Sequence, residues 1–256
     1  MLDWVKSLFK RSIPGSNRSP NYARAPKDWM NIKDWDRYWS EILADVFWKN
    51  HNLDSWIFEH TTLHYIQSVE KREGHRVLLA GNGISPEPFG LSHAGIDVTV
   101  VEVSEVACEF LSSFIIDALT LGAMFPVYDE VKTPEGWLQR TLNLEKSATR
   151  AVGEKRAGGN VAIVKGDLFE FEPDQLFDAI ISKRAYQGFP ADRRQELANR
   201  FFRWLRPRGI ACVLMHNIRD REPYEAPFHK AGFARASHWT YPVDHEKQVL
   251  FWHGSG

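Results

Sequence analysis

The sequence predicts an α/β protein of three layers, in which a mostly parallel sheet with an antiparallel C-terminal strand lies between helices. From position 76 onward, short apolar segments alternate with segments of helical periodicity. The near-continuous apolar runs at 179–181 and 210–215 are typical of strands buried on both faces, and hence of a parallel sheet. The connection at 242–245 is too short for a parallel crossover, so the strands it joins are predicted to be antiparallel neighbours.

A single domain is predicted at 33–256, preceded by an N-terminal arm and a proline-containing linker at 1–32. The domain begins with a helical cap at 33–72, in which Trp35 and Trp39 recur at helical spacing. The predicted helices are 33–50, 54–71, 87–93, 105–121, 192–205 and 222–231. The predicted strands are 76–80, 98–103, 161–165, 177–182, 210–216, 233–241 and 247–252.

An insertion is predicted at 122–160, where a short connection between a helix and a strand would suffice. Its apolar residues predict a short helix; they are Trp137, Leu138, Leu142 and Leu144. Long insertions in compact domains are usually functional or disordered. Two interpretations therefore stay open: a lid that closes over a site, and a mobile surface loop.

Composition excludes several classes of protein. The chain has 256 residues and is 43% hydrophobic, which allows a substantial core. Its 32 basic and 33 acidic side chains give a net charge of -1, so neither nucleic acid nor an anionic membrane is an expected partner. Cys108 and Cys212 lie in apolar segments, which predicts buried thiols in a reducing compartment. Without an apolar span or a secretory signal, the expected location is the cytoplasm, and no signal favours a particular oligomeric state.

The spacing of glycines and a carboxylate predicts a nucleotide-type site. The first predicted strand breaks at Gly81 and Gly83, and the second reaches Glu102, 21 positions after Gly81. Glycines let the backbone approach a ligand closely, and the acid can accept hydrogen bonds from both hydroxyls of a ribose. The segment 81–90 contains no Lys or Arg, so a pyrophosphate would depend on backbone amides alone. An adenosyl ligand without phosphate is therefore the better prediction.

This arrangement resembles the class I S-adenosylmethionine-dependent methyltransferases over roughly residues 33–254. The aromatic helical segment before the glycine motif is similar to that of small-molecule methyltransferases of the thiopurine methyltransferase type. The resemblance implies a Rossmann-like methyltransferase fold, S-adenosylmethionine as the cofactor and a small-molecule acceptor as the partner. The cofactor-binding residues that we predict are Gly81, Asn82, Gly83, Glu102, Val103, Asp167, Leu168, Ser182, Trp35 and Trp39.

Candidate residues for catalysis and acceptor binding follow the fourth and fifth strands of the parallel sheet. Because ligands bind at the carboxyl ends of such strands, Tyr186 and His216 are the catalytic candidates, with His216 as the base. Lys183, Arg184 and Asn217 are the predicted acceptor contacts, and the two cations suit an anionic acceptor. Most of the rate enhancement of methyl transfer must come from near-attack geometry and exclusion of water.

Two other functions stay open. A nicotinamide-dependent oxidoreductase shares the glycine turn and the distant acid. A non-catalytic cofactor-binding or interaction protein is suggested by Leu79, where related enzymes often have an acid, and by the Lys183-Arg184 pair. His60 and His64 share a helical face but have no third ligand at suitable spacing, so no metal site is predicted.

Overall fold

The computed structural model describes residues 30–49, 75–85, 87–93, 95–113, 128–132, 138–142, 159–215, 218–240 and 247–253. Within these residues the helices are α1 (Ile32–Lys49), α2 (Glu87–His93), α3 (Glu105–Ser113), α4 (Ala185–Gly188), α5 (Ala191–Trp204) and α6 (Glu222–Ala231). The strands are β1 (Arg76–Ala80), β2 (Asp97–Glu102), β3 (Tyr128–Lys132), β4 (Leu138–Leu142), β5 (Val161–Lys165), β6 (Phe177–Lys183), β7 (Leu205–Met215), β8 (Phe233–Thr240) and β9 (Lys247–His253).

Seven of these strands form one sheet in the order β5-β2-β1-β6-β7-β9-β8. The five strands from β5 to β7 run parallel to one another. The strand β9 runs antiparallel to both β7 and β8. The predicted fold class is therefore confirmed: a mostly parallel sheet flanked by helices, with an antiparallel strand near the C-terminus.

The strand register brings the predicted site residues to one edge of the sheet. Ala80, the last residue of β1, lies opposite Val101, so Gly81 follows beside Glu102. Glu102 in turn lies opposite Lys165 at the end of β5. In an open parallel sheet the crevice for a ligand forms at the carboxyl ends of the strands, where the order reverses. Here the order reverses between β1 and β6, which are hydrogen-bonded neighbours.

The described part of the insertion is a β-hairpin and not the predicted short helix. Strands β3 and β4 are antiparallel, with Tyr128 opposite Leu142 and Lys132 opposite Leu138. The prediction was wrong because a spacing of four residues suits one face of a helix and also one face of a strand. The pair Leu138 and Leu142 therefore does not distinguish the two structures by periodicity.

Strand β7 also differs from its predicted bounds, because it starts at Leu205 and not at Ile210. Its pairing with β6 shifts between Phe177–Leu205 and Ala179–Ile210, which marks a bulge. Within the bulge, Arg208 has a φ of 69°. The apolar pattern used for the prediction begins only after this irregular segment.

The core lies between the sheet and the helices of the C-terminal half. Phe201 of α5 and Phe228 of α6 are fully buried, and the Phe228 ring stacks on Phe251 of β9 with centroids 3.9 Å apart. Aromatic burial of this kind supplies much of the apolar area removed from water. Ile180 of β6 and Val213 of β7 belong to the same core cluster, which therefore extends under the strands that lead to the site.

Several predictions fall outside the described residues. They are the arm and most of the linker up to position 29, the second helix at 54–71 with His60 and His64, most of the insertion, and the turn at 242–245. Within the residues that the structure does describe, none of the helices has the length and apolar character required to cross a bilayer.

Candidate functional site

The turn after β1 requires glycine at two positions. Gly81 and Gly83 have φ values of +69° and +57°, in the left-handed region that disfavours other residues. A Cβ atom on Gly81 would lie 2.5 Å from the Ala185 Cβ, so α4 packs directly against the turn. The Gly81 N–H donates to the Val101 carbonyl at 3.0 Å, which ties the turn to β2.

The carboxylate of Glu102 lies against this turn. One oxygen, Oε2, accepts the Gly83 N–H at 2.7 Å, and Oε1 accepts the Ser104 N–H at 3.0 Å. The side chain is only 5% exposed, and this burial raises the pKa of Glu102, although the backbone N–H donors lower it. A carboxylate offers about four lone-pair positions, so Glu102 can still accept hydrogen bonds from a ligand.

Helix α1 docks on the same edge through Asp36. The Asp36 Oδ1 accepts the Ser104 hydroxyl at 2.6 Å and the Val106 N–H at 3.4 Å. The Ser104 Oγ in turn accepts the Ala107 N–H at 3.3 Å, so Ser104 and Asp36 together cap the N-terminus of α3. Ser104 therefore connects α1 to Glu102, because its hydroxyl donates to Asp36 and its N–H donates to the Glu102 carboxylate.

A cluster of three aromatic rings on α1 contacts the turn through Trp39. The indole of Trp39 packs on Gly83 so closely that a Cβ there would lie 2.3 Å from the Trp39 Cζ2. Trp35 stacks on Trp39 with centroids 6.2 Å apart, and Tyr38 meets Trp39 edge to face at 4.8 Å. Two of the predicted cofactor-binding residues, Trp35 and Trp39, therefore lie together at the glycine turn.

Two buried polar atoms at this turn have no hydrogen-bond partner among the described residues. They are the Trp39 Nε1 and the Asn82 Oδ1. The Asn82 side chain is 8% exposed and uses its Nδ2 to donate to the Ser85 carbonyl at 2.7 Å. Buried polar atoms are nearly always paired, so this donor and this acceptor, both on residues that adjoin Gly83, are available to a ligand of matching character.

The end of β5 contributes the third part of the edge. The Gly166 N–H donates to the Glu102 carbonyl at 3.0 Å, and the Asp167 carboxylate accepts the Phe169 N–H at 2.9 Å. Leu168 is 6% exposed and belongs to the hydrophobic core. Val103, which follows Glu102, is half-buried. Turns bearing predicted cofactor residues thus follow β1, β2 and β5 side by side.

The structure gives Ser182 and Tyr186 positions that favour a structural role. Both are fully buried, and the Tyr186 N–H donates to the Ser182 Oγ at 3.3 Å. The Tyr186 hydroxyl donates to the Tyr224 carbonyl at 3.0 Å, and burial strongly raises the pKa of this phenol. The catalytic role predicted for Tyr186 does not fit this placement, because its hydroxyl points into the core and already has a partner.

The two cations after Ser182 occupy different environments. The Lys183 ammonium is buried against the Glu87 carboxylate and donates to the Ser85 hydroxyl at 3.1 Å. The Arg184 side chain is exposed, and its backbone has a φ of 61°. Burial raises the pKa of Tyr38, and the Arg184 charge partly offsets that rise, so Arg184 lies near α1. Lys183, one of the three predicted acceptor contacts, therefore has Glu87 and Ser85 of the protein itself as partners.

His216 and Asn217 lie outside the described residues, directly after Met215 at the end of β7. Sequence reasoning missed Asp36 and Glu87, which contact the loops of the site. Asp36 has a detectable signal, since it is a carboxylate among the aromatic residues of one helix. Glu87 has a weaker one, because an acid in the first turn of a helix is common for dipole reasons alone.

The fold matches solved methyltransferase structures at low sequence identity. Magnesium protoporphyrin IX methyltransferase from Synechocystis PCC 6803, solved with bound S-adenosylmethionine, is 10% identical, with 91% of this chain and 99% of that chain covered and a TM-score of 0.57. The N-methyltransferase NodS from Bradyrhizobium japonicum WM9, in complex with S-adenosylhomocysteine, is 12% identical, with coverages of 85% and 97% and a TM-score of 0.52. A TehB-like S-adenosylmethionine-dependent methyltransferase from Corynebacterium glutamicum is 14% identical, with coverages of 83% and 96% and a TM-score of 0.51.

Neither the protein-family models nor the curated proteins give a match to this sequence. The structural likenesses show that the chain has the Rossmann-like methyltransferase fold. At such low identity they show the fold alone, and the function has to be argued from the residues of the site.

Proposed function

We propose that this protein is an S-adenosylmethionine-dependent methyltransferase that acts on a small or medium-sized acceptor. The observation that carries the proposal is the pair of orphaned atoms beside Gly83, together with the carboxylate of Glu102. An α-amino acid head group has a carboxylate that can accept the Trp39 Nε1–H and an ammonium that can donate to the Asn82 Oδ1. The methionine part of S-adenosylmethionine has this head group, and Glu102 suits its ribose.

The charges of the site support this cofactor over a dinucleotide. The segment 81–90 has no Lys or Arg, and the Lys183 ammonium that approaches it is balanced by Glu87. A pyrophosphate would therefore meet a buried carboxylate without a compensating cation. A sulfonium cofactor has no phosphate, and the aromatic rings of α1 can stabilise its positive charge.

The cofactor supplies a methyl group on a sulfonium, which is already activated for displacement. The residues of the chain have to bind the cofactor and the acceptor, orient them for transfer, and exclude water. In our proposal Glu102, Asn82 and Trp39 hold the cofactor, and the other predicted residues at 81, 83, 103, 167 and 168 shape its pocket. Arg184 and Asn217 contact the acceptor, and His216 takes a proton from a hydroxyl acceptor.

Ligand binding to the purified full chain tests the cofactor. S-adenosylhomocysteine should raise the melting temperature, with the rise growing roughly as the logarithm of its concentration once it exceeds the dissociation constant, and NAD should not, because a ligand stabilises by binding the native state. A rise with NAD alone would overturn the proposal. Turnover is then measured as S-adenosylhomocysteine released from S-adenosylmethionine in the presence of acceptors that differ in charge.

A non-catalytic cofactor-binding protein is the second candidate. The observation that favours it is that Ser182 and Tyr186 are buried and Lys183 is ion-paired, so none of these three offers a free base at the end of β6. Binding of S-adenosylhomocysteine with no methyl transfer to hydroxyl, thiol, amine or carboxylate acceptors would support it. Loss of measured turnover in His216→Ala with unchanged cofactor binding would support the enzyme.

A further inference from the structure

A buried ion pair crosses the crevice of the candidate site. The Lys183 ammonium contacts the Glu87 carboxylate and donates to the Ser85 Oγ at 3.1 Å. The two charged side chains are only 8% and 1% exposed. Lys183 and Ser85 are 98 positions apart in the sequence, so the contact joins two distant segments.

The position of this pair is specific to the point where the strand order reverses. Lys183 is the last residue of β6, and Glu87 is the first residue of α2, which follows β1. In the sheet, β1 lies between β2 and β6, and β6 lies between β1 and β7. After β1 and after β6, the chain therefore continues toward opposite halves of the sheet. The ion pair therefore links the two halves where the crevice opens.

The same segment after β6 also supports the other end of the glycine turn. Ala185 packs against Gly81, at the distance that excludes a side chain there. The segment 183–185 thus contacts both ends of the turn. Ala185 packs against Gly81 at its start, and Lys183 binds Glu87 just after its end. Between these two contacts lie Asn82, which carries one of the orphaned atoms, and Gly83, which packs against Trp39 and donates to Glu102.

A buried ion pair is a poor source of stability, because desolvation of the two charges offsets most of their attraction. Apolar pairs of similar volume often give equal or greater stability, whereas the directional contacts of an ion pair fix geometry. We propose that Lys183 and Glu87 are positioning residues that hold the glycine turn in the conformation that binds the cofactor. This inference rests on the proposed function, and it gives Lys183 a role other than contact with the acceptor.

The test compares cofactor affinity with stability in a double replacement. The variant Lys183→Met with Glu87→Met removes both charges and leaves apolar groups in a buried space, so its melting temperature should stay near that of the wild type. Its dissociation constant for S-adenosylhomocysteine, measured by calorimetry, should rise by about tenfold or more, since small displacements in a site have large effects. A merely structural pair would leave this affinity unchanged in a stable variant.

A matched control lies at the opposite end of the same strand. Asp178 of β6 pairs with Arg206 at 3.1 Å and accepts the Arg76 N–H at 2.8 Å. Asp178→Asn should lower the melting temperature and leave the affinity for S-adenosylhomocysteine unchanged. If the double replacement fails to fold, Glu87→Gln with the same measurement replaces it, and its affinity should fall in the same direction.

The outcomes separate this inference from the proposed function. If the wild type binds S-adenosylhomocysteine and the folded Lys183 and Glu87 variants bind it equally well, the positioning role is wrong and the proposed function stands. If the wild type binds no S-adenosylhomocysteine at all, the proposed function fails and the positioning role fails with it.

Discussion

Glu102 is the residue on which the proposed ribose contact depends. Replacement by Gln keeps its size but turns one acceptor oxygen into a donor that faces Gly83 or Ser104. We expect the affinity for S-adenosylhomocysteine to fall by about tenfold or more, because hydrogen bonds to charged groups contribute about 1.5–3 kcal/mol. Calorimetry measures the change, with Glu109→Gln on the exposed surface of α3 as the matched control. Equal affinities of the two variants would contradict the ribose role.

The same residue predicts a pH dependence. Burial raises the pKa of Glu102 above its usual 4.5, the backbone N–H donors oppose this, and the charge of Asp36 raises it further. Cofactor affinity should therefore decrease as the pH falls through this raised pKa, because protonation removes acceptor positions. Calorimetry at a series of pH values that falls from about 8 through this raised pKa should show the trend in the wild type and a weaker one in Glu102→Gln.

The contribution of Glu102 to stability has the opposite trend. A carboxyl whose pKa is higher in the folded state binds a proton there more readily than in the unfolded chain. This contribution is greatest below the pKa of the unfolded chain and is lost as the pH rises through the folded pKa. If the cofactor affinity instead increased as the pH fell, as this contribution to stability does, the titration could not be assigned to Glu102.

Trp39 can be tested for its orphaned donor alone. Trp39→Phe keeps an aromatic ring over Gly83 but removes the Nε1–H, which has no partner among the described residues. We expect cofactor affinity to fall by about three- to tenfold, which corresponds to a hydrogen bond of roughly 1 kcal/mol. Trp204→Phe, which removes the indole N–H that donates to Glu172, is the control, and an equal loss of affinity in both variants would contradict the role of the Trp39 Nε1–H.

At the scale of the elements, Asp36 contributes to the attachment of α1 to α3. Asp36→Ala removes the acceptor of the Ser104 hydroxyl and the Val106 N–H, and should lower the free energy of unfolding by about 1 kcal/mol or more. Urea denaturation measures this. Glu41→Ala on an exposed position of the same helix should change it by less than about 0.5 kcal/mol.

The elements themselves could be predicted where hydrophobic periodicity is unambiguous. The bounds of β5 and of the helices α2 and α6 agree with their predictions, since their ends coincide with changes in the apolar pattern. The hairpin β3–β4 could not be identified, because Leu138 and Leu142 fit both periodicities. The bulge in β7 could not be located either, since it depends on pairing with β6.

For the molecule as a whole, the mostly parallel sheet with its antiparallel C-terminal strand follows from the alternation of strand and helix patterns, but the strand order and the contacts that assemble the site do not. The hydrogen bond from Ser104 to Asp36 spans 68 positions, and the Lys183 contact with Ser85 spans 98. Such contacts depend on the tertiary packing of particular side chains. The sequence therefore predicted Gly81, Gly83 and Glu102 together, whereas the buried state of Lys183 and Tyr186 required the structure.

Hydrogen exchange provides a test at this scale. A saturating concentration of S-adenosylhomocysteine at about 100 times its dissociation constant should add about 2.7 kcal/mol to the stability of the folded chain. Slower exchange should appear at 81–85 and along α1, and much less at the far strand β8. Uniform protection of the whole domain, or no protection at α1, would contradict the proposal that this helix contacts the bound cofactor.

The position of Trp39 against Gly83 also affects the kinetics of ligand exchange. The indole covers the backbone that the cofactor has to reach, and Asp36 fastens the same helix three residues earlier. If the proposed function is right, we expect the entry of the cofactor and the departure of the demethylated product to require α1 to move away from the turn. We expect the residence time of the product, and with it the maximal turnover number, to be governed by the opening of this one helix and to shorten when Asp36 is replaced.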